Sequence, residues 1–205
     1  MQIKRFEVGY LRTNCYVITE DNYDFAVLID VGGGYNQINE YLNSINKKPK
    51  YILLTHGHFD HILDLSKWLN NDGVEVFIHK KDAEMLEGKN NLAKEFGLNV
   101  PCVYDYNTVE DGERINCGFC VFTVMHTPGH TPGSSCFVTG NYIFSGDTLF
   151  YHSFGNTGFP GGNFEDMMSS LKKLLSISGD ETVYPGHGEE TTLAEERAFN
   201  KVWKE

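Results

Sequence analysis

The stretch Thr55-His56-Gly57-His58-Phe59-Asp60-His61 packs three histidines and an aspartate into one short loop. Imidazole nitrogen and carboxylate oxygen are ligands that suit Zn²⁺ and Fe²⁺. His56 and His58 lie two apart, so they do not share a helical face. They fit an extended turn leaving a strand. Asp60 and His61 fall where the next helix is expected to begin. Such a loop can aim two residues at one metal ion and two at its neighbour.

One loop cannot fill two coordination shells, so further ligands are expected elsewhere. Three segments qualify, each after a β-like run. Thr127-Pro128-Gly129-His130-Thr131 follows VFTVM, Ser145-Gly146-Asp147-Thr148 follows NYIF, and Pro185-Gly186-His187-Gly188 follows TVY. Each sets a ligand-type residue in a glycine-bearing turn, where the backbone can bend sharply and leave room for an ion. Asp147 is the natural bridge, because its two oxygens can serve two metals.

Around these motifs, apolar runs at residues 25–31 and 51–54 read as buried strands. Residues 3–8, 15–19, 74–78, 119–125, 135–138, 142–144 and 182–184 also read as strands. Helical spacing appears at 35–45 (Ile38, Leu42, Ile45), at Ile62, Leu65 and Leu69, and at 80–97 with a break near Gly88. It recurs at 164–175 and 193–203. Strands in groups that then alternate with helices, in both halves, imply two sheets with helices on their outer faces. No linker or repeat divides the chain, so residues 1–205 are expected to form a single domain.

The net charge is −11. That disfavours nucleic acid, whose phosphates require Lys and Arg, but not a small anionic substrate, because bound metals invert the local field. No apolar run is long enough for a membrane helix, and the N-terminus reads as a strand rather than a signal peptide. Five cysteines without a secretory signal argue against a disulfide framework, so a cytoplasmic location is expected.

Together THGHFDH, TPGHTPGS, SGDTLF and YPGHG resemble the metallo-β-lactamase-fold hydrolases, and among them the glyoxalase II-like (hydroxyacylglutathione hydrolase) branch. The resemblance spans nearly the whole chain and includes LIDVGGG, IHKKDAEML and PGGN. It implies an αββα sandwich of two mixed sheets. His56, His58 and His130 would bind one metal, Asp60, His61 and His187 the other, and Asp147 would bridge them. Two divalent ions are implied, zinc foremost, with iron or manganese as alternatives. Three departures stand out. Ile62-Leu63-Asp64 follow the DH pair, where the family often has glycines. Gly155-Asn156-Thr157-Gly158 replaces a GRTD loop. The chain also ends soon after His187, so the glutathione-gripping extension of full-length glyoxalase II, and its specificity, are not expected to carry over.

The implied reaction is hydrolysis of a small-molecule thioester or related acyl ester, with Asp60 also orienting the nucleophile. No GxSxG elbow is present. A mononuclear iron persulfide dioxygenase of the same fold, using His56, His130 and Asp147, is the alternative. An RNA-processing hydrolase conflicts with the acidic balance. Purely structural metals conflict with a ligand set that leaves an exchangeable position. Cys117-Gly118-Phe119-Cys120 lacks a second pair and reads as a hairpin turn. Cys15, Cys102 and Cys136 read as small apolar fillers. His79 is expected to begin a helix, and His126 to support the site or the fold. His152, Phe150, Tyr151, Phe154 and Phe159 crowd one loop that could border the substrate pocket.

Overall fold

A computed structural model describes residues 1–71 and 73–200. One six-stranded sheet has the spatial order β1 (Gln2–Val8), β2 (Thr13–Thr19), β3 (Phe25–Ile29), β4 (Lys48–Leu54), β5 (Glu75–His79) and β6 (Asn107–Val109). Strands β1 to β3 are antiparallel neighbours and β3 to β6 parallel ones. The second sheet runs β7 (Arg114–Asn116), β8 (Val121–His126), β9 (Ser135–Thr139), β10 (Tyr142–Gly146), β13 (Thr182–Pro185) and β14 (Thr191–Thr192). Among the described residues, only β10 and β13 pair in parallel there. A small ribbon, β11 (Leu149–Phe150) with β12 (Ser153–Phe154), leaves β10.

The alternation within each strand explains the layering. In β3, Val27 and Ile29 face the second sheet, where Phe122, Val124, Phe137 and Phe144 meet them. Ala26 and Leu28 face the other way, with Val17, Ile52 and Ile78, under Ile38 and Leu42 of α1 (Tyr35–Ser44) and under Trp68. On the far side, Cys136, Ile143 and Val183 receive Met167, Leu171 and Leu174 of α5 (Phe164–Leu175) and Leu193 of α6 (Leu193–Phe199). Strands covered on both faces need continuous apolar runs, and AVLI and YILL supply them. The result is the αββα sandwich of two mixed sheets. Helix α5 begins where the Asn163 side chain accepts from the Asp166 N–H at 3.0 Å. Its first turn carries Glu165 and Asp166, its last Lys172 and Lys173, which complement the helix dipole.

Three expectations change. Residues 80–97 hold only the short helix α4 (Ala83–Leu86), followed by turns with Asn90 and Leu92 at positive φ. The buried Asn91 amide bonds Met85 O at 3.0 Å and accepts from Ala93 N at 3.1 Å, taking over backbone partners that a helix would use. The stripe through Ile62, Leu65 and Leu69 is two pieces, α2 (Phe59–Ile62) and α3 (Leu65–Trp68). His79 closes β5 rather than opening a helix. The helical expectation for 193–203 holds to Phe199, and its last residues lie outside the described ones.

Candidate metal centre

Every candidate ligand sits just beyond a strand end, at one rim of the sandwich. Residues 55–61 leave β4, His130 follows β8, Asp147 follows β10 and His187 follows β13. Backbone bonds stitch these ends together. Ser135 N donates to Thr55 O at 2.9 Å across the two sheets, Gly186 N to Gly146 O at 2.8 Å, and Asn14 N to Gly186 O at 2.7 Å. Gly186 has to be glycine, since a Cβ there would stand 2.2 Å from Asp147 Oδ1 and 2.8 Å from His61 Cε1.

All seven side chains meet, in overlapping groups. His56, His58 and His130 form one, Asp60, His61 and His187 another, and His56 and His61 also close on Asp147. His58 Nδ1 is 2.9 Å from His130 Nε2. His61 Nε2 is 3.4 Å from His187 Nε2, 3.5 Å from Asp60 Oδ2 and 3.4 Å from Asp147 Oδ1. Asp147 Oδ2 is 3.5 Å from both His130 Nε2 and His187 Nε2, and His187 Nε2 is 3.3 Å from Asp60 Oδ2.

Ligands about 2.0–2.1 Å from a tetrahedral zinc ion are separated from one another by about 3.3–3.4 Å. The spacings around Asp60, His61, His187 and Asp147 match that edge. His56 Nε2 and Asp147 Oδ1 are buried without a hydrogen-bond partner. Burying such atoms unpaired is costly, and a cation between them would remove the cost. The donor set and its spacing therefore fit a pair of divalent ions.

A second layer fixes the rings. Asp30 Oδ2 accepts from His61 Nδ1 at 2.7 Å and from Thr55 Oγ1 at 2.8 Å, and Asp30 Oδ1 accepts from Thr55 N at 2.8 Å. Thr55 Oγ1 lies 3.1 Å from His56 Nδ1. His130 Nδ1 is 2.7 Å from Asn156 O, and His187 Nδ1 is 3.2 Å from Leu11 O. Thr13 Oγ1 donates to Asp60 Oδ2 at 3.1 Å. Outer partners of this kind set which ring nitrogen faces the metal. None of Asp30, Thr13 and Thr55 stood out as a functional residue in the sequence.

Electrostatics follow the same arrangement. Burial, then the neighbouring imidazoles, pushes His56 well below its usual pKa. Burial, then His130, holds His58 down at about 3. Burial opposes a charge on His61, but Asp60, Asp30 and Asp147 outweigh it and raise its pKa. Burial likewise works against the Asp147 carboxylate, yet His61, His130 and His187 keep it far below its ordinary range. His56 and His58 are thus neutral imidazoles, ready to bind a cation, and the second cluster is rich in carboxylate.

Above the centre opens a cavity of about 210 Å³. His58, Asp60, His130, Asp147 and His187 form its floor, and Leu11, Phe96, Phe150 and Phe159 its walls. Asn156 reaches its edge. Phe150 also borders an adjoining hollow with Tyr151. Phe154 turns instead into the layer under α5. His152 faces α6, with Nε2 2.8 Å from Glu195 Oε1 and its backbone N–H on Glu196. His126 stacks on His79 at 4.0 Å and lies 2.9 Å from Pro132 O through Nε2.

The five cysteines are free. Cys117 and Cys120 bracket the β7–β8 turn, with Cys117 N on Cys120 O at 2.9 Å. Cys15 and Cys136 are core fillers. Cys102, against expectation, is exposed, because the turns after α4 leave it at the surface, where its Sγ bonds Glu87 O. Among the described residues, no helix is long and apolar enough to cross a membrane.

Comparison with known proteins agrees with this geometry. The family model described as the metallo-beta-lactamase superfamily matches residues 8–187. Hydroxyacylglutathione hydrolase GloC of Haemophilus influenzae is 33% identical, over 98% of this chain and 96% of that protein. The crystal structure of the B3 metallo-beta-lactamase BLEG-1 superposes with a TM-score of 0.92 at 30% identity, covering 100% of both chains. That of TTHA1623 in a di-iron-bound form gives 0.87 at 34% identity, covering 96% of this chain and 98% of that one. With its candidate ligands at strand ends, its two mixed sheets and this match, the chain belongs to the metallo-beta-lactamase superfamily.

Proposed function

We propose that the protein is a dinuclear metal-dependent hydrolase of thioesters or related acyl esters. One observation carries the reading. Seven nitrogen- and oxygen-bearing side chains converge at ligand-like spacing, five of them on the floor of an apolar-walled cavity, with His56 Nε2 and Asp147 Oδ1 buried and without a hydrogen-bond partner. His56, His58 and His130 would hold one ion, Asp60, His61 and His187 the other, and Asp147 would be shared. Two ions here would supply Lewis acidity and bring the pKa of a water down to about 7.

The chain's own residues do the rest. Asp60 lies on the cavity floor, its Oδ2 fixed by the Thr13 hydroxyl. It is placed to accept a hydrogen bond from the attacking water and orient it toward the acyl carbon. Phe96, Phe150, Phe159 and Leu11 displace water from the floor and offer contact to an uncharged acyl or thiol portion. The name of the Haemophilus relative supports a thioester. In this chain 155–158 reads Gly-Asn-Thr-Gly, so a charged thiol carrier would find no arginine in that loop.

The test is metal analysis of natively expressed protein, paired with turnover of a panel of thioesters, phosphoesters and glutathione persulfide. We expect about two ions per chain and thioester cleavage, both lost in Asp147→Ala. Full activity and full metal content in that variant would refute the scheme. Iron with O₂ consumption on glutathione persulfide would replace it with a dioxygenase.

A further inference from the structure

Asp82 lies at the start of α4, outside the seven-residue centre, and is fully buried. Its Oδ1 accepts from Gly133 N at 2.6 Å. Its Oδ2 accepts from Thr131 Oγ1 at 2.6 Å and from Gly57 N at 3.2 Å. These donors belong to two different loops. Gly57 separates His56 from His58, while Thr131 and Gly133 follow His130. One carboxylate therefore ties the loop leaving β4 in the first sheet to the loop between β8 and β9 in the second.

The fit is close on every side. A Cβ on Gly133 would stand 2.6 Å from the Asp82 carboxyl. One on Gly57 would stand 2.4 Å from Cβ of Met85, which follows in the same short helix. Thr131 is held in turn by Ser134, with the hydroxyls 2.6 Å apart. Backbone N–H groups only donate, so the carboxyl acts here as an acceptor.

The charge distribution gives this tie a purpose. The second cluster has its own carboxylate in Asp60, and a further one in Asp30 behind His61. The first cluster, His56, His58 and His130, has only imidazoles besides the shared Asp147. Asp30 reaches only the first of this cluster's two loops, through Thr55, whereas Asp82 is a buried carboxylate bonded to both.

We infer that Asp82 is a positioning residue for the first metal site, locking the His56–His58 loop against the His130 loop and supplying the anionic charge that this cluster lacks. The inference rests on the two-metal reading above. Asn at this position keeps the size but removes the charge and turns one acceptor into a donor facing N–H or O–H groups. Supporting partners of metal ligands are worth about 10–100-fold in affinity.

The experiment is competition of zinc-loaded Asp82→Asn against a chromogenic chelator, with anomalous-scattering occupancy of each cluster in crystals of the same protein. We expect the His56/His58/His130 cluster to weaken at least tenfold, with the Asp60/His61/His187 cluster within about threefold of wild type. Thr131→Val, which removes one of the three bonds, should weaken the same cluster by a smaller factor and covers the case where Asp82→Asn does not fold. Wild-type occupancy in both variants, or equal loss at both clusters with circular dichroism unchanged, overturns the inference. A wild-type protein that takes up no metal would overturn the two-metal reading itself, an outcome distinct from two full sites in both variants.

Discussion

Asp30 and His61 meet beneath the cluster, Nδ1 to Oδ2 at 2.7 Å, and the same carboxylate holds both donors of Thr55. Replacing it by Asn confronts three donors with an amide that can accept through only one of its two ends. Metal affinity should fall by about 10–100-fold in Asp30→Asn, read by competition with a coloured chelator. Affinity equal to wild type would strip Asp30 of this role. Gly186→Ala makes a sharper case, because the new methyl would occupy the space of Asp147 Oδ1. That variant should keep its far-UV circular dichroism and lose most of its bound metal. Retention of two ions would show that the strand end can shift aside. These two residues also mark where sequence reading succeeds and stops. The seven candidate ligands that converge were legible because type, spacing and turn glycines coincide. Asp30 was visible only as a strand-ending aspartate in LIDVGGG, since its partner lies 31 positions on. Only the parallel pairing of β3 with β4 brings the two together.

At the scale of elements, what the sequence revealed depended on how each segment is held. The inner strands β3 and β4 read well, because being buried on both faces leaves a continuous apolar run, whereas the short strands β6, β7, β11, β12 and β14 did not stand out. Helix α5 read to the residue, because a cap, an apolar stripe and oriented charges agree. Residues 80–97 misled, because their structure comes from side-chain bonds such as those of Asn91, which leave no periodic trace. The ends of β5 and β8 carry a further consequence. His79 and His126 stack with their planes 2° apart, one from each sheet. Burial, then His126, lowers His79 from 6.5 to about 4. Its folded pKa is below its unfolded one, so the unfolded chain binds the proton first as pH drops. The stability tied to neutral His79 is present above pH 6.5 and is lost progressively down to about 4. His79→Phe keeps a flat ring without the proton. Its urea midpoint should therefore lose less than the wild type's between pH 7 and 4.5. Parallel pH profiles for the two proteins would remove His79 from the acid response.

For the whole molecule, the site joins the two halves of the sandwich. His56, His58, Asp60 and His61 hang from the first sheet, and His130, Asp147 and His187 from the second. The direct backbone ties across this rim are few, among them Ser135 N to Thr55 O and Asn14 N to Gly186 O. Ions held by ligands from both sheets would act as cross-links that exist only in the folded state, because the unfolded chain scatters the seven ligands over 132 positions, from His56 to His187. Ligand binding to the native state alone stabilises it by RT ln(1 + [L]/Kd), about 2.7 kcal/mol for one site at a hundredfold excess over Kd. In a domain of this size, that moves the melting temperature by about 5–11 °C. Scanning calorimetry of the chelator-treated protein, with and without added zinc, should show a rise of that order, growing with zinc concentration. Asp147→Asn lacks the shared ligand and should show a much smaller rise. If zinc left the wild-type melting temperature unchanged, or raised that of the variant equally, the ions would not be bridging the sheets.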